Sequence, residues 1–489
     1  MTSKSTKRAL ITSALAILMC AAMLIGATFA WFTDTASTVV NKIVSGNLKV
    51  DIIGADSDSH IEKLNFTKAA TTDAEAGAEI LWEPGCRYLT EGFRIANKGN
   101  LALKWKAQVN TGTTAANEGN FDLLDVIDFY LVTKAADGTE TETALDEFTG
   151  NLKKTETSDV YYIKGVMQTT AGNDYQGLTL DGISITVVAT QDTVESDSFD
   201  NQYDKDAEYP ILVTTGDELQ AIVSNATAPV NIVLTNSITT NNFVIPEDKD
   251  VTLDLNGRTV TNAGSHTILN KGHLTLTDSS ADKSGQIISL KGNTAALRNG
   301  DNAVCVVEGG TISRDGANGN TWHVVENFGK MTFNGGKVVL KNGNGFAITN
   351  GWNYFDPGAS TTHAVMEINA LELDTDSSGI KNCRYGDLTV NDVTVTSTGY
   401  WALSNDYLGT AVINGGTLTS NSFKAVSNGA AMTVNGGTFD GTQGFFVQSY
   451  ATSTVLNGGT FANMNVDALS SYVGTGHTAQ QSGTSVIIK

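Results

Sequence analysis

Four carboxylates and one arginine in the last third of the chain are the residues most similar to a catalytic group. They are Glu372, Asp374, Asp376, Arg384 and Asp387. Clustered carboxylates suit a hard cation such as calcium, and a basic side chain beside them could abstract a proton, as in a polysaccharide lyase. The acidic residues also alternate with Leu371 and Leu373, as they would on the outward face of an ordinary strand. We favour that structural interpretation.

Signatures of established catalytic sites are missing from the sequence. The chain has six histidines and no HExxH motif, and its four cysteines show no CxxC spacing. Neither a zinc site nor a disulfide framework is therefore expected. We expect no catalytic residues, no metal, no cofactor and no enzymatic activity. The alternative is a secreted polysaccharide lyase or hydrolase.

Aromatic residues form a second group with possible function. An insertion of about ten residues within Gly351–His363 interrupts a repeat and carries Trp352, Tyr354 and Phe355, and Trp401 follows further along the chain. Exposed rings offer flat apolar surface with polar edges, which suits sugar rings. We predict a carbohydrate-binding face at these four residues; the alternative is that the rings pack the insertion onto the fold.

Composition and charge exclude several classes of protein. The 489 residues have 52 acidic and 31 basic side chains, a net charge of −21, so neither nucleic-acid binding nor docking on anionic lipid is expected. Only 17% of residues are charged, while glycine numbers 49 and proline 5. Such a chain is typical of β structure with many turns rather than of a mostly helical protein.

The first thirty residues read as an export signal. Lys4, Lys7 and Arg8 precede an apolar stretch, and the small residues after it predict cleavage between Ala30 and Trp31. The alternative is an uncleaved N-terminal anchor. After cleavage we expect no stable membrane span and an extracellular location.

Several motifs follow the predicted cleavage site in a characteristic order. They are Ala27-Thr-Phe-Ala-Trp-Phe-Thr-Asp34, Asn41-Lys-Ile-Val-Ser-Gly-Asn-Leu-Lys-Val50, Trp82-Glu-Pro-Gly85 and Phe93-Arg-Ile-Ala-Asn-Lys-Gly-Asn-Leu-Ala-Leu-Lys104. This region, roughly residues 1–195, resembles the TasA/camelysin family of Gram-positive biofilm-matrix proteins. The resemblance implies a dedicated signal peptidase, a jelly-roll β-sandwich and assembly into extracellular fibres.

The same resemblance implies a donated strand. In that family the freed N-terminal segment can complete a neighbour's sheet, and here it would include Trp31, Phe32, Val39 and Val40. An apolar, β-prone segment can bind an open sheet edge by strand addition. The expected partners are further copies of this chain or other matrix-fibre subunits.

Residues 192–209 change character and predict a hydrated linker. Its acidic residues are Asp192, Glu195, Asp197, Asp200, Asp204, Asp206 and Glu208. Almost no apolar side chain separates them, which is typical of a solvated connection. Calcium binding is the alternative, although the spacing is not that of an EF-hand.

A repeat fills the second half of the chain. Its first column holds seven asparagines: Asn270, Asn299, Asn327, Asn350, Asn382, Asn405 and Asn428. A second column of Asp278, Glu308, Asn334, Asn369, Asn391, Asn414, Asn435 and Asn457 is often followed by Gly-Gly-Thr. Short β runs at such a period predict a solenoid. This half resembles the right-handed parallel β-helix of pectate-lyase-like proteins.

The first asparagine column predicts a hydrogen-bonded ladder at a turn. An inner apolar stripe is expected two places before it, formed by Leu297, Val325, Ile348, Ile380, Leu403, Val426 and Val447. Eight coils at about 4.8 Å each predict a rod of about 40 Å. Thr215-Gly-Asp-Glu-Leu-Gln-Ala-Ile-Val223 predicts a capped helix that covers the open end of the first coil.

Together these features predict an all-β protein, a jelly-roll-like sandwich followed by a right-handed parallel β-helix. The expected domains are a signal peptide at 1–30, the sandwich at 31–191, the linker at 192–209 and the β-helix with its helical cap at 210–489. The predicted function is structural or adhesive. The sandwich would join a fibre at a Gram-positive cell surface or in its biofilm matrix, and the β-helix would be displayed, with extracellular polysaccharide as its possible ligand.

Overall fold

The structure is a computed structural model of the chain. It describes residues 47–489 apart from 62–63, 68–79, 81, 111–112, 115–120, 146–147, 182, 193–207, 318–320, 354–356 and 359–361. The predicted cleavage site at Ala30 and Trp31 lies outside the described residues, as do the donor-strand residues Phe32, Val39 and Val40. Nearly all of the predicted linker lies outside them too. No helix in the described ranges is long and apolar enough to cross a membrane.

The N-terminal part is built from two antiparallel sheets and a two-stranded ribbon. One sheet runs β1-β4-β10-β3-β2 and also holds β7 and β8, the other runs β12-β5-β9, and β11 pairs with β6. The strands are β1 (Val50–Gly54), β2 (Phe66–Thr67), β3 (Arg87–Thr90), β4 (Phe93–Asn97), β5 (Leu103–Asn110), β6 (Thr113–Thr114), β7 (Ile127–Lys134), β8 (Glu140–Ala144), β9 (Phe148–Leu152), β10 (Tyr161–Met167), β11 (Leu180–Asp181) and β12 (Ser184–Gln191).

A shared apolar core joins the two larger sheets. Strand β5 alternates buried and half-buried residues along its whole length, and its Leu103 and Trp105 pack with Phe93 and Ile95 of β4 and Ile163 of β10. Alternation of this kind buries one face of each strand and leaves the other towards solvent.

The second half is a parallel β-solenoid of three sheets, so the predicted all-β class and β-helix are confirmed. Sheet I contains β13 (Ile211–Val213), β14 (Val230–Leu234), β17 (Asp250–Asp254), β20 (His273–Thr277), β23 (Val304–Val307), β26 (Lys330–Phe333), β29 (Ala364–Ile368), β32 (Gly386–Val390), β35 (Thr410–Ile413), β38 (Ala431–Val434) and β41 (Ser453–Leu456). Each complete coil passes once through each sheet, whereas β13 and β41 at the two ends belong to incomplete coils. Apolar side chains from all three sheets fill one continuous core.

Sheets II and III complete the coils. Sheet II contains β15 (Ile238–Thr240), β18 (Thr259–Asn262), β21 (Gln286–Ser289), β24 (Thr311–Asp315), β27 (Lys337–Lys341), β30 (Glu372–Thr375), β33 (Thr394–Ser397), β36 (Thr417–Ser420), β39 (Thr438–Asp440), β42 (Gly459–Phe461), β43 (Ala479–Ser482) and β44 (Ser485–Ile488). Sheet III contains β16 (Phe243–Ile245), β19 (Ile268–Asn270), β22 (Leu297–Asn299), β25 (Val325–Asn327), β28 (Phe346–Asn350), β31 (Ser378–Asn382), β34 (Leu403–Asn405), β37 (Lys424–Asn428) and β40 (Gln443–Val447).

Both ends of the solenoid core are covered. Helix α1 (Gly216–Asn225) buries Leu219 and Val223 against the first coil, and its N-cap Thr215 accepts a hydrogen bond from the Glu218 amide. At the other end, α2 (Val466–Leu469) precedes the antiparallel hairpin of β43 and β44. Sheet I has 11 strands, more than the eight predicted coils, because coils without the asparagine column precede and follow the repeat.

The seven asparagines of the first column form a buried ladder inside the turn between sheets III and I. Each side-chain Nδ2 donates to the Oδ1 of the next coil's asparagine at 2.7–2.9 Å. The last member, Asn428, donates to the Thr454 hydroxyl instead. A second hydrogen on each Nδ2 binds a backbone carbonyl, such as Thr410 O for Asn382.

The second column forms another ladder at the turn between sheets I and II, and half of its eight members are exposed. Its hydrogen bonds run in the opposite direction, from each coil to the one before, again at 2.7–2.9 Å. The first asparagine, Asn334, donates to Glu308 Oε1. The sequence shows this column, but it does not predict the hydrogen bonds between the side chains of its members.

The Gly-Gly pair after the second column has two separate physical roles. A Cβ on Gly415 would lie 2.7 Å from the carbonyl oxygen of Asn391 in the preceding coil, so that site needs the close approach only glycine allows. Gly416 has a φ of +99°, in the region that favours glycine. The repeated Asn-Gly-Gly-Thr thus encodes the turn that starts sheet II.

One sequence alignment of the repeat was wrong in the last coil. Val447 was expected in the inner apolar stripe, but Phe445 pairs with Val426 and occupies that position. Val447 pairs with Asn428, so it occupies the position of the ladder asparagine rather than a position in the apolar stripe. The residue of β40 that lies in the stripe is therefore two positions earlier in the sequence than the alignment of the repeat predicted.

Replacing Asn382 by alanine should lower the free energy of unfolding by about 3 kcal/mol. The change removes three donated hydrogen bonds and leaves the buried Asn350 and Asn405 amides short of partners. Denaturant titration would measure the loss. The control is Asn414→Ala in the exposed ladder, which should cost less than about 1 kcal/mol because water replaces its partners. Equal losses would contradict this account of the buried ladder.

Candidate functional site

The outer face of sheet III forms a platform near the C-terminal end of the solenoid. Its floor carries Lys381, Ser404, Ser427 and Phe446, which are neighbours in register, together with Lys424. Aromatic and apolar side chains from the two flanking turns form its rims: Tyr400, Trp401 and Phe423 on one side, and Tyr407, Leu408 and Tyr450 on the other. Strand pairing therefore brings distant residues to one surface.

The rim at the turn between sheets III and I presents two exposed rings. Tyr407 is 47% exposed and Tyr450 is 54% exposed, and two coils, about 10 Å, separate their positions. Gly429 lies in the coil between them. A Cβ there would lie 2.7 Å from Cε2 of Tyr450, so glycine lets that ring lie across the intervening turn. The result is an edge that carries two exposed aromatic rings.

The rim at the turn between sheets II and III is a packed aromatic group. The Trp401 and Phe423 rings meet edge to face with centroids 5.3 Å apart, and Tyr400, 55% exposed, lies 6.2 Å from Trp401. The Trp401 indole N–H has no acceptor among the described residues. Of the two predicted sugar-binding residues that the structure describes, Trp352 and Trp401, Trp401 lies on this platform.

Three cations line the platform. Lys381 forms an ion pair with Asp406 at 3.0 Å. The Lys424 ammonium lies over the Phe446 ring, 3.2 Å from its centroid, and the Arg384 guanidinium lies 6.0 Å from the Tyr407 centroid. Neither Lys424 nor Arg384 forms an ion pair with a carboxylate in the described part of the chain.

Towards the N-terminal coils, outward-pointing side chains of sheet III are buried rather than open to solvent. Glu326 is only 3% exposed although it points outward in register with Arg298 and Thr349. It accepts hydrogen bonds from Arg298 Nη1 at 3.0 Å and from the Trp322 indole at 3.1 Å. Burial raises the pKa of the Glu326 carboxyl, against the opposing effect of Arg298. This acidic group was not found from the sequence, since no repeat column or motif marks it.

Two histidines, His323 buried and His266 partly buried, accept backbone hydrogen bonds in the turn between sheets II and III. Nδ1 of His266 accepts the Ala295 amide at 2.8 Å, and Nδ1 of His323 accepts the Phe346 amide at 3.1 Å. Burial lowers the pKa of each to about 4. Both rings are therefore neutral near pH 7, as an acceptor nitrogen requires.

The predicted aromatic site in the insertion is only partly described. Trp352 is 8% exposed and packs on Phe328 with centroids 4.7 Å apart, in a cluster that includes Tyr385. It thus packs this turn onto the solenoid and offers little surface to a ligand. Tyr354 and Phe355 lie outside the described residues.

The carboxylates first singled out do not converge. Glu372 and Asp374 point outward from β30 in sheet II and pair with Lys337 and Lys341. Asp387 is in sheet I, where it contacts His363 at 3.0 Å. No group of three potential metal ligands is found among the described residues.

Comparison with known proteins gives a likeness to a solved structure. No protein-family model matches the chain, and no curated protein matches it. Among solved structures it is similar to the catalytic domain of a GH87 alpha-1,3-glucanase in complex with tetrasaccharides. The identity is 10%, the match covers 83% of this chain and 99% of that chain, and the TM-score is 0.19. At that TM-score the likeness carries no argument about residues, substrate or reaction.

One expectation from the sequence needs correction. We expected a protein that is not an enzyme, and that expectation is withdrawn, since the solved structure reported above is the catalytic domain of an enzyme. The sequence reasoning relied on missing motifs, and those motifs belong to particular β-helix enzymes rather than to every chemistry that such a fold supports.

Acidification should destabilise the solenoid through His266 and His323. In the unfolded chain both take up a proton near pH 6.5, whereas in the fold they resist protonation until about pH 4. Stability is thus retained above pH 6.5 and lost as the pH falls towards 4, by about 3 kcal/mol for each histidine.

Melting temperatures across this pH range would test the effect. Gln at both positions keeps a side-chain acceptor but does not titrate, so the double variant should lose less stability than the wild type between pH 6.5 and 4. An identical pH dependence in the two proteins would contradict the assignment, since all other groups titrate in both.

Proposed function

We propose that this chain is a secreted surface or matrix protein whose solenoid binds polysaccharide on the sheet III platform. The observation that carries the proposal is the pair of aromatic rims, with Tyr400, Tyr407 and Tyr450 each about half exposed. Exposed apolar surface bordered by polar groups is typical of binding sites. Tyrosine supplies a flat face and a hydroxyl, and sugar rings present complementary C–H faces and hydroxyl edges.

The shape of the platform supports a long ligand rather than a compact one. Each coil advances the floor by about 4.8 Å, so Lys381 to Phe446, four strands in register, extend over about 15 Å. The closed region around Glu326 limits the surface at one end. A glycan chain lying along the solenoid axis would contact both rims at once.

The N-terminal half is proposed to link this binding surface to a fibre. The support is the sequence resemblance to TasA/camelysin proteins and the predicted export signal. In this proposal Trp31 to Val40 would add a strand to a neighbouring subunit, and the solenoid would remain displayed.

Replacing Tyr407 and Tyr450 by alanine together should weaken polysaccharide binding at least about ten-fold, because both rings are lost from one rim. The melting temperature should change little, since both side chains are exposed. Affinity electrophoresis in gels containing soluble glycans would measure binding. The matched control is Leu290→Ala, which removes an exposed apolar side chain elsewhere on the solenoid. Unchanged retention of the double variant would overturn the site.

Cleavage of the bound polysaccharide is the second candidate function. The observation that favours it is Glu326, whose pKa is raised by burial and whose carboxyl lies on the same outer face as the platform. A carboxyl whose pKa is raised holds its proton more readily, and it could donate that proton to a glycosidic oxygen, as a general acid does.

Glu326→Gln tests this candidate while preserving an acceptor for the Trp322 indole. If Glu326 is the acid, release of reducing ends should fall at least about 100-fold in the variant, with binding retained. Asp374→Asn, on the outward face of sheet II, is the control and should have no effect. Equal release by the wild type and the Glu326 variant would exclude this role, and so would no release by either protein.

A further inference from the structure

We infer that the glycan bound on the sheet III platform is anionic, with its negative groups held by Lys424 and Arg384. This inference rests on the proposed polysaccharide site and specifies its ligand. The observation behind it is that these two cations lie over the aromatic rings of Phe446 and Tyr407, and neither pairs with a carboxylate among the described residues.

Charge balance on the platform favours this assignment. Lys381 is neutralised by Asp406, which leaves Lys424 and Arg384 as net positive charge at the surface. The whole chain carries −21, so two such cations on one face stand out against an acidic background. A cation in that setting attracts anions locally although the protein as a whole repels them.

The contacts of the two cations leave their hydrogen-bonding capacity for a ligand. A cation–π contact uses the face of the ring and the charge, but it does not occupy the N–H donors as a carboxylate would. Lys424 keeps three donors, and Arg384 keeps a planar set that can bind a carboxylate, sulfate or phosphate oxygen pair. The rings also restrict the side chains, which lowers the entropy lost on binding.

The positions of the cations suit repeated charges along a chain. Arg384 belongs to the turn after β31, and Lys424 begins β37, two coils further along the axis, or about 10 Å. Tyr407 and Phe423 lie at the two rims between them. A glycan with acidic groups on non-adjacent sugars would contact both cations while its rings lie against the aromatic side chains.

Matched pairs of neutral and charged polymers test the inference on the full-length mature chain. Carboxymethyl cellulose and hydroxyethyl cellulose share a backbone, as do dextran sulfate and dextran. The anionic member of at least one pair should bind at least about ten-fold more tightly than its neutral partner, and added salt should weaken its binding. The pair that shows the difference identifies carboxylate or sulfate as the recognised group.

Single substitutions distinguish the contribution of the two cations to affinity from that of the aromatic rims. Lys424→Gln and Arg384→Gln should each lose about ten-fold in affinity for the anionic polymer, whereas Lys424→Arg should retain most of it. Lys271→Gln is the matched control, because Lys271 is an exposed lysine beside sheet III in an early coil. The melting temperature of each variant would verify folding.

The outcomes distinguish the inference of an anionic ligand from the proposed polysaccharide site on which it rests. Equal binding of neutral and anionic polymers, lost only when Tyr407 and Tyr450 are replaced, would overturn the anionic ligand but keep the polysaccharide site. Binding that survives replacement of those tyrosines would overturn the site itself. Loss of affinity in the Lys271 control equal to that of Lys424→Gln would also overturn the inference, because it would show a nonspecific charge effect.

Discussion

Satisfaction of buried amides is the constraint on which the solenoid depends. A polar side chain in the interior costs free energy unless its donors and acceptors are paired. The ladder from Asn270 to Asn428 meets that requirement only if every coil places an asparagine at the same position, because each amide completes the one before it. The coils are therefore held in strict register at the turn between sheets III and I.

The alignment of the coils at the ladder also fixes the positions of the residues that form the sheet III platform. The residues that follow the ladder form one rim of the platform, so Tyr407 follows Asn405 at a set distance and Gly429 follows Asn428. The outward residue just before each ladder asparagine forms the floor. A rigid interior thus positions exposed side chains that have few contacts of their own, as Tyr407 and Tyr450 do.

The sequence predicted the features that a repeat or a local motif specifies, and it could not predict contacts that no pattern marks. The coil period, the asparagine column and the capped helix are each set by local patterns, and the all-β architecture followed from them. Glu326 became a candidate only when the fold showed its burial beneath Trp322, and no spacing in the sequence indicates that contact. The last coil was misaligned because Phe445 enters the stripe without an asparagine to mark the register.

The same modular construction has an evolutionary consequence. A coil such as residues 383–405, between two ladder asparagines, carries its own share of core, ladder, floor and both rims. Duplicating that stretch of the gene would add one asparagine to the ladder and one coil to the platform. The new coil would pack against its neighbours as the existing coils do. The length of polysaccharide that the proposed site would accommodate could therefore change through the number of coils, whereas its chemical preference would change through single outward residues.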